Sequence, residues 1–397
     1  MRFVDRRGTL VLVSSSLAGL LMGCPPVTTT TTPSRPTAPP PRPAPVAQAP
    51  VNPVVAVASH SFHTCAQRKA GDVLCWGKNT YGQLGDGRRK DSARLVKVTG
   101  LGDAVEIVTG RDFSCARRSG GSVLCWGNNE DGQLGDGKGT RPGKLSLRPT
   151  KVLGLQQPIA LAAGEYHACA LEQRGAVKCW GNAGNGQIGT DSKRAFGHPQ
   201  PIEQLGKVTQ IASGTGHVCA LESRGVVKCW GRNTEGQLGD GKSGSRIKGV
   251  MVAGLENVVE LASGHRHSCA RRSDGRVWCW GDNASGQLGP GAGREPKRGT
   301  PVEVTGIGSV VELAGGSEHT CARLESGRVA CWGSNGAGQL GHQSSVSRRP
   351  APTTVRNVTD AIDLALGTSH TCVARKSGEV SCFGDTEYGA LGPYRTI

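Results

Sequence analysis

From about residue 54 onward, apolar and polar positions alternate in short runs. The stretch between 258 and 304 shows the pattern. An alternating run, "VVELAS" (258–263), is followed by "HSCAR" (267–271), then "RVWCWG" (276–281), a glycine-containing insert, and a last short run, "PVEV" (301–304). Alternation over a handful of residues marks a half-buried strand, whereas a helix would repeat its apolar positions every three to four. Four such runs without a helical period predict one four-stranded antiparallel sheet.

The unit recurs. Fourteen cysteines fall into pairs ten positions apart: Cys65 with Cys75, Cys115 with Cys125, Cys169 with Cys179, Cys219 with Cys229, Cys269 with Cys279, Cys321 with Cys331, and Cys372 with Cys382. The first members follow one another at intervals of 50, 54, 50, 50, 52 and 51 residues. A period of this size signals a propeller or a solenoid, and four short strands per unit decide for the propeller blade. The expected fold is all-β: a seven-bladed β-propeller with four-stranded blades. The repeats lie near 54–98, 104–152, 158–203, 207–252, 257–304, 309–355 and 360–397.

The cysteine spacing sets a register. If Cys219 stands opposite Cys229 across a hairpin, Ala220 faces Lys228, Leu221 faces Val227, Glu222 faces Val226, and Ser223, Arg224 and Gly225 form the loop. A three-residue loop calls for a left-handed residue at its end. The other six loops also end in glycine: Gly71, Gly121, Gly175, Gly275, Gly327 and Gly378. Directly opposed residues have Cα atoms roughly 4.5–5.5 Å apart, within disulfide range. One cross-strand disulfide per blade is therefore expected. Reduced core thiols and metal ligands are the rival readings, although two opposed hairpin cysteines do not supply the four ligands of a zinc site.

Phrases such as "HSCARRSDGRVWCWGDNASGQLG" and "HTCARLESGRVACWGSNGAGQLG" resemble the regulator of chromosome condensation repeat family. The resemblance covers essentially all of 54–397 and implies a seven-bladed propeller. The chain departs from the family pattern at Phe113, where repeat 2 lacks the histidine, and at Phe383, where repeat 7 lacks the tryptophan. Repeat 7 also stops soon after "GALG" (389–392) and so lacks a fourth strand. "PVAQAP" (45–50) aligns with "PVEVTG" (301–306), and residues 45–49 are expected to supply the missing strand and close the ring.

Residues 1–23 carry a basic start and an apolar stretch from about Leu10 to Leu21, the pattern of a secretory signal. "LMGC" (21–24) resembles the lipobox of bacterial lipoproteins. That resemblance implies cleavage before Cys24 and lipidation of Cys24, the fifteenth cysteine, and Pro25 after it resembles an outer-membrane passenger. Residues 24–44, rich in proline and threonine, read as a disordered tether. The expected location is the bacterial cell envelope, facing the periplasm or the cell surface, with the membrane held through the lipid anchor.

Charge and chemistry narrow the function. Of the formal net charge of +16, residues 1–23 carry +2 (Arg2, Arg6, Arg7, Asp5) and residues 24–53 carry +2 (Arg35, Arg42), leaving +12 on the repeats. "GQLGDGKS" (236–243) matches the phosphate-loop pattern G-x-x-x-x-G-K-[ST]. No helix start follows, however, and "GQLGDG" also occurs at 82–87 and 132–137, so it reads as repeat sequence. The recurrent histidines His63, His167, His217, His267, His319 and His370 read as structural hydrogen-bonders. The recurrent tryptophans, Trp76 through Trp332, read as packing between blades, and Trp278 is an extra. No catalytic motif, metal or cofactor is nominated.

Connections in an antiparallel blade alternate faces. One face gathers the loop between strands one and two together with the insert between strands three and four, which holds most of the variable sequence. This face is the expected recognition surface, with Phe62, Arg88, Arg89, Arg111, Tyr166, Arg266, Arg298, Arg348 and Arg349 as candidate partner-binding residues. A solubilising role for the basic residues is the competing reading. The expected function is a monomeric, lipid-anchored binding scaffold for a protein or an anionic envelope polymer, with no nucleic acid. The alternative is a regulator or inhibitor of another enzyme: an envelope hydrolase, or family-type guanine-nucleotide exchange, which export disfavours.

Overall fold

The structure, a computed structural model, describes residues 52–138, 144–342 and 346–394. The signal, the tether, Cys24 and the closing segment 45–49 lie outside them. Within them the chain forms six four-stranded sheets and one three-stranded sheet, each antiparallel and paired in chain order. The seven sheets are the blades of a β-propeller. Their innermost strands are Val54–Ser59, Ala104–Thr109, Pro158–Ala163, Val208–Ser213, Val258–Ser263, Val310–Gly315 and Ala361–Leu366.

Blade 4 shows how sequence sets the register. Cys219 pairs with Cys229, Ala220 with Lys228 and Leu221 with Val227, and the Glu222 N–H donates to the Val226 carbonyl at 2.8 Å. Gly225 takes φ +78°, as the loop requires, but Arg224 before it also stands at φ +85°, where a side chain is strained.

The same opposition holds in every blade, and each cysteine couple is closed as a disulfide. Cys65 is bonded to Cys75, Cys115 to Cys125, Cys169 to Cys179 and Cys219 to Cys229. Cys269 is bonded to Cys279, Cys321 to Cys331 and Cys372 to Cys382. Their Cα atoms stand 4.0–4.1 Å apart, a little closer than the spacing expected from the register alone. All fourteen of these cysteines are buried. In the chain-entropy view a loop this short adds about 3 kcal/mol per blade. The rival readings, reduced thiols and metal ligands, do not fit sulfurs that are bonded in pairs.

After "GQLGDGKS" comes the outer strand Arg246–Met251, and the Asp240 carboxylate accepts from the Lys242 N–H at 3.0 Å. A phosphate loop needs a helix and an open cradle of amides there, so the motif is repeat sequence.

Blades are joined by a histidine–hydroxyl relay that four junctions share. In the first junction His63 Nε2 lies 2.9 Å from Ser114 Oγ. Ser114 in turn donates to the Gln83 carbonyl, which also accepts from Trp126 Nε1 at 2.8 Å. Because Ser114 spends its proton on Gln83, it accepts from His63, which fixes the histidine as the Nε2–H tautomer. The same relay joins His217 to Ser268 and His267 to Thr320, and His319 joins Thr371 likewise, with Phe383 in the tryptophan's place. Blade 4 has Val218 where the hydroxyl would stand, and His167 reaches Ser213 instead. Burial of these rings depresses their basicity, to about 3 for His63, His217, His267 and His319 and about 4 for His167 and His370. The expectation of structural histidines and interblade tryptophans is met.

Blade 7 meets blade 1 through the same groups. His370 Nε2 lies 2.9 Å from Thr64 Oγ1 and from Ser59 Oγ. Trp76 Nε1 donates to the Ala390 carbonyl at 2.8 Å. The Val57 N–H donates to Asp363 Oδ2 at 2.7 Å, and the Val54 N–H to the Gly378 carbonyl. The seventh sheet has three strands among the described residues. At its outer edge the Cys382 N–H donates to the Tyr394 carbonyl at 3.0 Å.

Candidate functional site

The loop face carries the short loops that link first to second strands and the inserts that follow the third strands. In six repeats the first residue of the short loop is glycine. A Cβ on Gly214 would stand 2.2 Å from the His217 ring and 2.3 Å from the Gly264 carbonyl. Repeat 1 has His60 at this place. Its ring reaches across the central channel and stacks on His265 of blade 5, with centroids 4.9 Å apart and planes 22° from parallel. His265 Nε2 lies 3.2 Å from the His60 carbonyl and Nδ1 lies 2.9 Å from Ser317 Oγ. Burial, then the neighbouring His265, holds His60 well below its ordinary pKa, and burial also lowers His265. Two neutral imidazoles therefore close the channel at this face. Neither was singled out as a site from sequence, although His60 is visible there as the one break in a six-fold glycine column.

Several nominated residues are occupied by one another. Arg111 of blade 2 pairs with Glu165 of blade 3, donates to the Tyr166 hydroxyl, and lies over the Tyr166 ring, 5.4 Å from its centroid. Burial and the Glu165 carboxylate push the Tyr166 phenol up to about 12. Phe62 meets Tyr388 edge-on at 5.4 Å. Both form part of a cage around the Lys78 ammonium, which lies 5.9 Å from Phe62, 5.8 Å from Tyr81 and 5.7 Å from Tyr388. Lys78 also contacts Asp112 at 3.0 Å. Arg111, Tyr166 and Phe62 thus lock neighbouring loops together.

The other candidates divide by place. Arg88 is exposed, and its guanidinium makes no hydrogen bond among the described residues. Arg89 is tied back to the Thr80 carbonyl at 2.8 Å. Arg298, Arg348 and Arg349 were expected in inserts. Instead they open the outer strands Lys297–Glu303 and Arg348–Thr354, because the strand ladder starts earlier than the apolar run suggests. Arg298 donates to the Ala292 carbonyl and Arg348 to the Ala284 carbonyl, both at 3.1 Å, while Arg349 is half-buried opposite Gly333. They belong to the rim. Arg266 is exposed near the axis, on the wall of a cavity of about 220 Å³ shared with Glu165, Arg232, His265, Asp282 and Glu318. Burial, with Glu235 and Glu318 nearby, raises the Asp282 carboxyl. The face is therefore of mixed charge at its centre and basic at its rim.

Trp278 lies away from this face, half-buried on the third strand of blade 5. Arg272 and Arg276 lie 4.9 and 5.4 Å from its ring.

Six stretches match the "Regulator of chromosome condensation (RCC1) repeat" model: residues 70–117, 120–171, 174–221, 224–271, 274–323 and 326–374. A second model of the repeat matches 54–83, 104–133, 159–187, 208–237, 258–287 and 310–339. The chain belongs to the RCC1 repeat family. Among curated proteins it is 32% identical over 166 residues to the human probable E3 ubiquitin-protein ligase HERC4, covering 38% of this chain and 14% of the relative. It is 29% identical over 180 residues to the X-linked retinitis pigmentosa GTPase regulator homolog of Caenorhabditis elegans, covering 43% of this chain and 13% of the relative. The chain thus spans about one-seventh of each of these relatives. Among solved structures, Prp20p of Saccharomyces cerevisiae aligns with TM-score 0.69 and 24% identity over 79% of this chain and 80% of the other. Human WBSCR16 aligns with TM-score 0.74 and 22% identity over 81% and 87%. These likenesses are of fold.

Proposed function

We propose that this RCC1 propeller is a protein-binding scaffold of regulatory type that presents its loop face to a folded partner outside the cytoplasm. The observation that carries the reading is the charge arrangement of that face. Near the axis, Arg266 and Arg232 share a cavity with Glu165, Asp282 and Glu318, while exposed cations such as Arg88 and Lys90 stand at the rim. A uniform polyanion would meet the central carboxylates unfavourably. A protein surface with its own mixed charges can complement both zones. Within the family, the yeast Prp20p structure is described together with its binding to Gsp1p and histones, which is a precedent for protein partners. Placement outside the cytoplasm is supported by seven disulfides, since such bonds persist in oxidising compartments, and by the secretory and lipobox pattern of residues 1–24. That placement disfavours nucleotide exchange on a cytosolic GTPase as the role here.

The test is capture of partners from native membranes with the full-length protein, compared with an Arg88→Glu/Arg266→Glu variant. A control variant, Arg174→Glu/Arg328→Glu, reverses two exposed charges at the hairpin face. Loss of the captured protein in the first variant alone is the expected result. Equal capture by all three proteins overturns the assignment of the loop face.

A further inference from the structure

The central channel is a cup. It encloses about 270 Å³ and is lined by residues of all seven innermost strands, with no Asp, Glu, Lys or Arg among them; between this cavity and the hairpin face, Glu106, Glu260 and Glu312 of the same strands are paired with Arg117, Arg271 and Arg323. His60 and His265 close it at the loop face. Three polar atoms in this wall are buried and have no hydrogen-bond partner among the described residues: Thr109 Oγ1, Ser263 Oγ and His60 Nδ1. Thr109 is only 5% exposed. Thr109 and Ser263 each end an innermost strand, so both sit at the closed end beside the histidines.

These hydroxyls are free for a reason visible in the relay. Each junction offers a histidine two hydroxyl positions, one ending the innermost strand and one following the next histidine position. His167 takes Ser213 because Val218 offers none, and His370 takes both Ser59 and Thr64. His63 and His217 take Ser114 and Ser268, which leaves Thr109 and Ser263 without partners. Buried polar atoms left unmatched cost free energy and call for an explanation.

The opposite mouth is apolar. At the hairpin face, the second residue of the innermost strands is pushed out of the ladder by a bulge, as between Val54 and Ala56 and between Val258 and Glu260. Val55, Val105, Ile159, Val259 and Ile362 stand there, 36–45% exposed. Solvent-facing aliphatic residues repeated around one opening mark a contact surface.

From this polar floor, uncharged wall and aliphatic rim, we propose that the channel binds a neutral single-chain amphiphile. Its hydroxyl head group meets Thr109, Ser263 and His60, and its alkyl chain leaves through the ring of valines and isoleucines. A charged head group would lose its hydration with no counter-charge in the wall. The six-residue strands give a path of about 20 Å.

The probe is 1-O-octylglycerol, titrated below its aggregation concentration into the full-length protein and followed by calorimetry. Octanoate, octyltrimethylammonium and glycerol serve as comparison probes. The expected result is saturable one-to-one binding of octylglycerol, with each comparison probe at least tenfold weaker. The Thr109→Val/Ser263→Ala variant removes both hydroxyls with little change in volume. At an unchanged unfolding midpoint it should bind octylglycerol at least tenfold more weakly. Absence of saturable octylglycerol binding, equal binding of the charged probes, or undiminished binding by the folded double variant would each overturn the proposal. The comparison of probes on the unaltered protein decides the matter even if the variant does not fold.

Discussion

His370 in the last blade and Thr64 in the first stand 2.9 Å apart, Nε2 to Oγ1, across 306 residues of chain. The contact repeats what His217 and Ser268 do between consecutive blades, so the ring closes with the interaction that builds it. Phe113 shows that the histidine position accepts a ring with no hydrogen bond. His370→Phe should therefore keep the packing and lose only the hydrogen bond, lowering stability by about 1–2 kcal/mol. His370→Ala adds a cavity and should cost about 3–4 kcal/mol. Chemical denaturation of both variants checks this, and an unchanged midpoint for His370→Phe would mean that the hydrogen bond contributes nothing to closure.

Acid should loosen the propeller through its buried histidines. Their folded-state basicity is depressed, to about 3 or about 4, below the unfolded value near 6.5. Between those limits the unfolded chain binds more protons than the folded one, so stability falls as pH drops below about 6.5. Each buried histidine contributes up to about 1.4 kcal/mol per pH unit inside that window. Unfolding midpoints measured from pH 7.5 to 5 should decline steadily, and replacing His217 with Phe should reduce the slope. A flat profile over this range would contradict the burial of neutral rings.

Much of the fold is legible because its determinants are local. Ten positions between cysteines, with a glycine closing the loop, fix which residues face each other in a hairpin, and seven copies fix the number of blades. What the loop face does is not local. Arg111 is neutralised by Glu165, 54 positions away, and Lys78 is caged in part by Tyr388 from the far end of the chain, because the ring brings different blades together. The pattern of repeats shows His60 as an exception, yet only the curvature of the ring sets it against His265. The outer strands begin at Lys297 and Arg348, earlier than the apolar runs suggest, since they open with cations that carry no apolar alternation.

Removing one disulfide should destabilise without unfolding. Cys219→Ser/Cys229→Ser opens a single blade and should cost about 3 kcal/mol in the chain-entropy view. The six other bonds, such as that between Cys269 and Cys279 in the next blade, stay in place. Intact mass before and after reduction should differ by two hydrogens for each bond, which counts the disulfides directly. A natively purified protein whose mass does not change on reduction would show free thiols and remove this source of stability.

The closing junction also contains a carboxyl group that prefers to be neutral. Asp363 is buried on the innermost strand of blade 7, where Oδ2 accepts the Val57 N–H. Burial, then the nearby Glu312, holds it well above the ordinary carboxylate range. A carboxyl group raised in this way stays protonated when folded but ionises when unfolded. Its burial therefore costs nothing below the unfolded pKa near 4, and stability is lost as pH rises from there through the folded pKa. Asp363→Asn keeps an oxygen for the Val57 N–H and removes the ionisation. The variant should gain on the order of 1 kcal/mol over the native protein at pH 7.5 and little or nothing at pH 4, read from denaturation midpoints at the two pH values. Destabilisation of equal size at both would show that the Asp363 carboxyl is ionised in the folded ring and that its charge holds the seam.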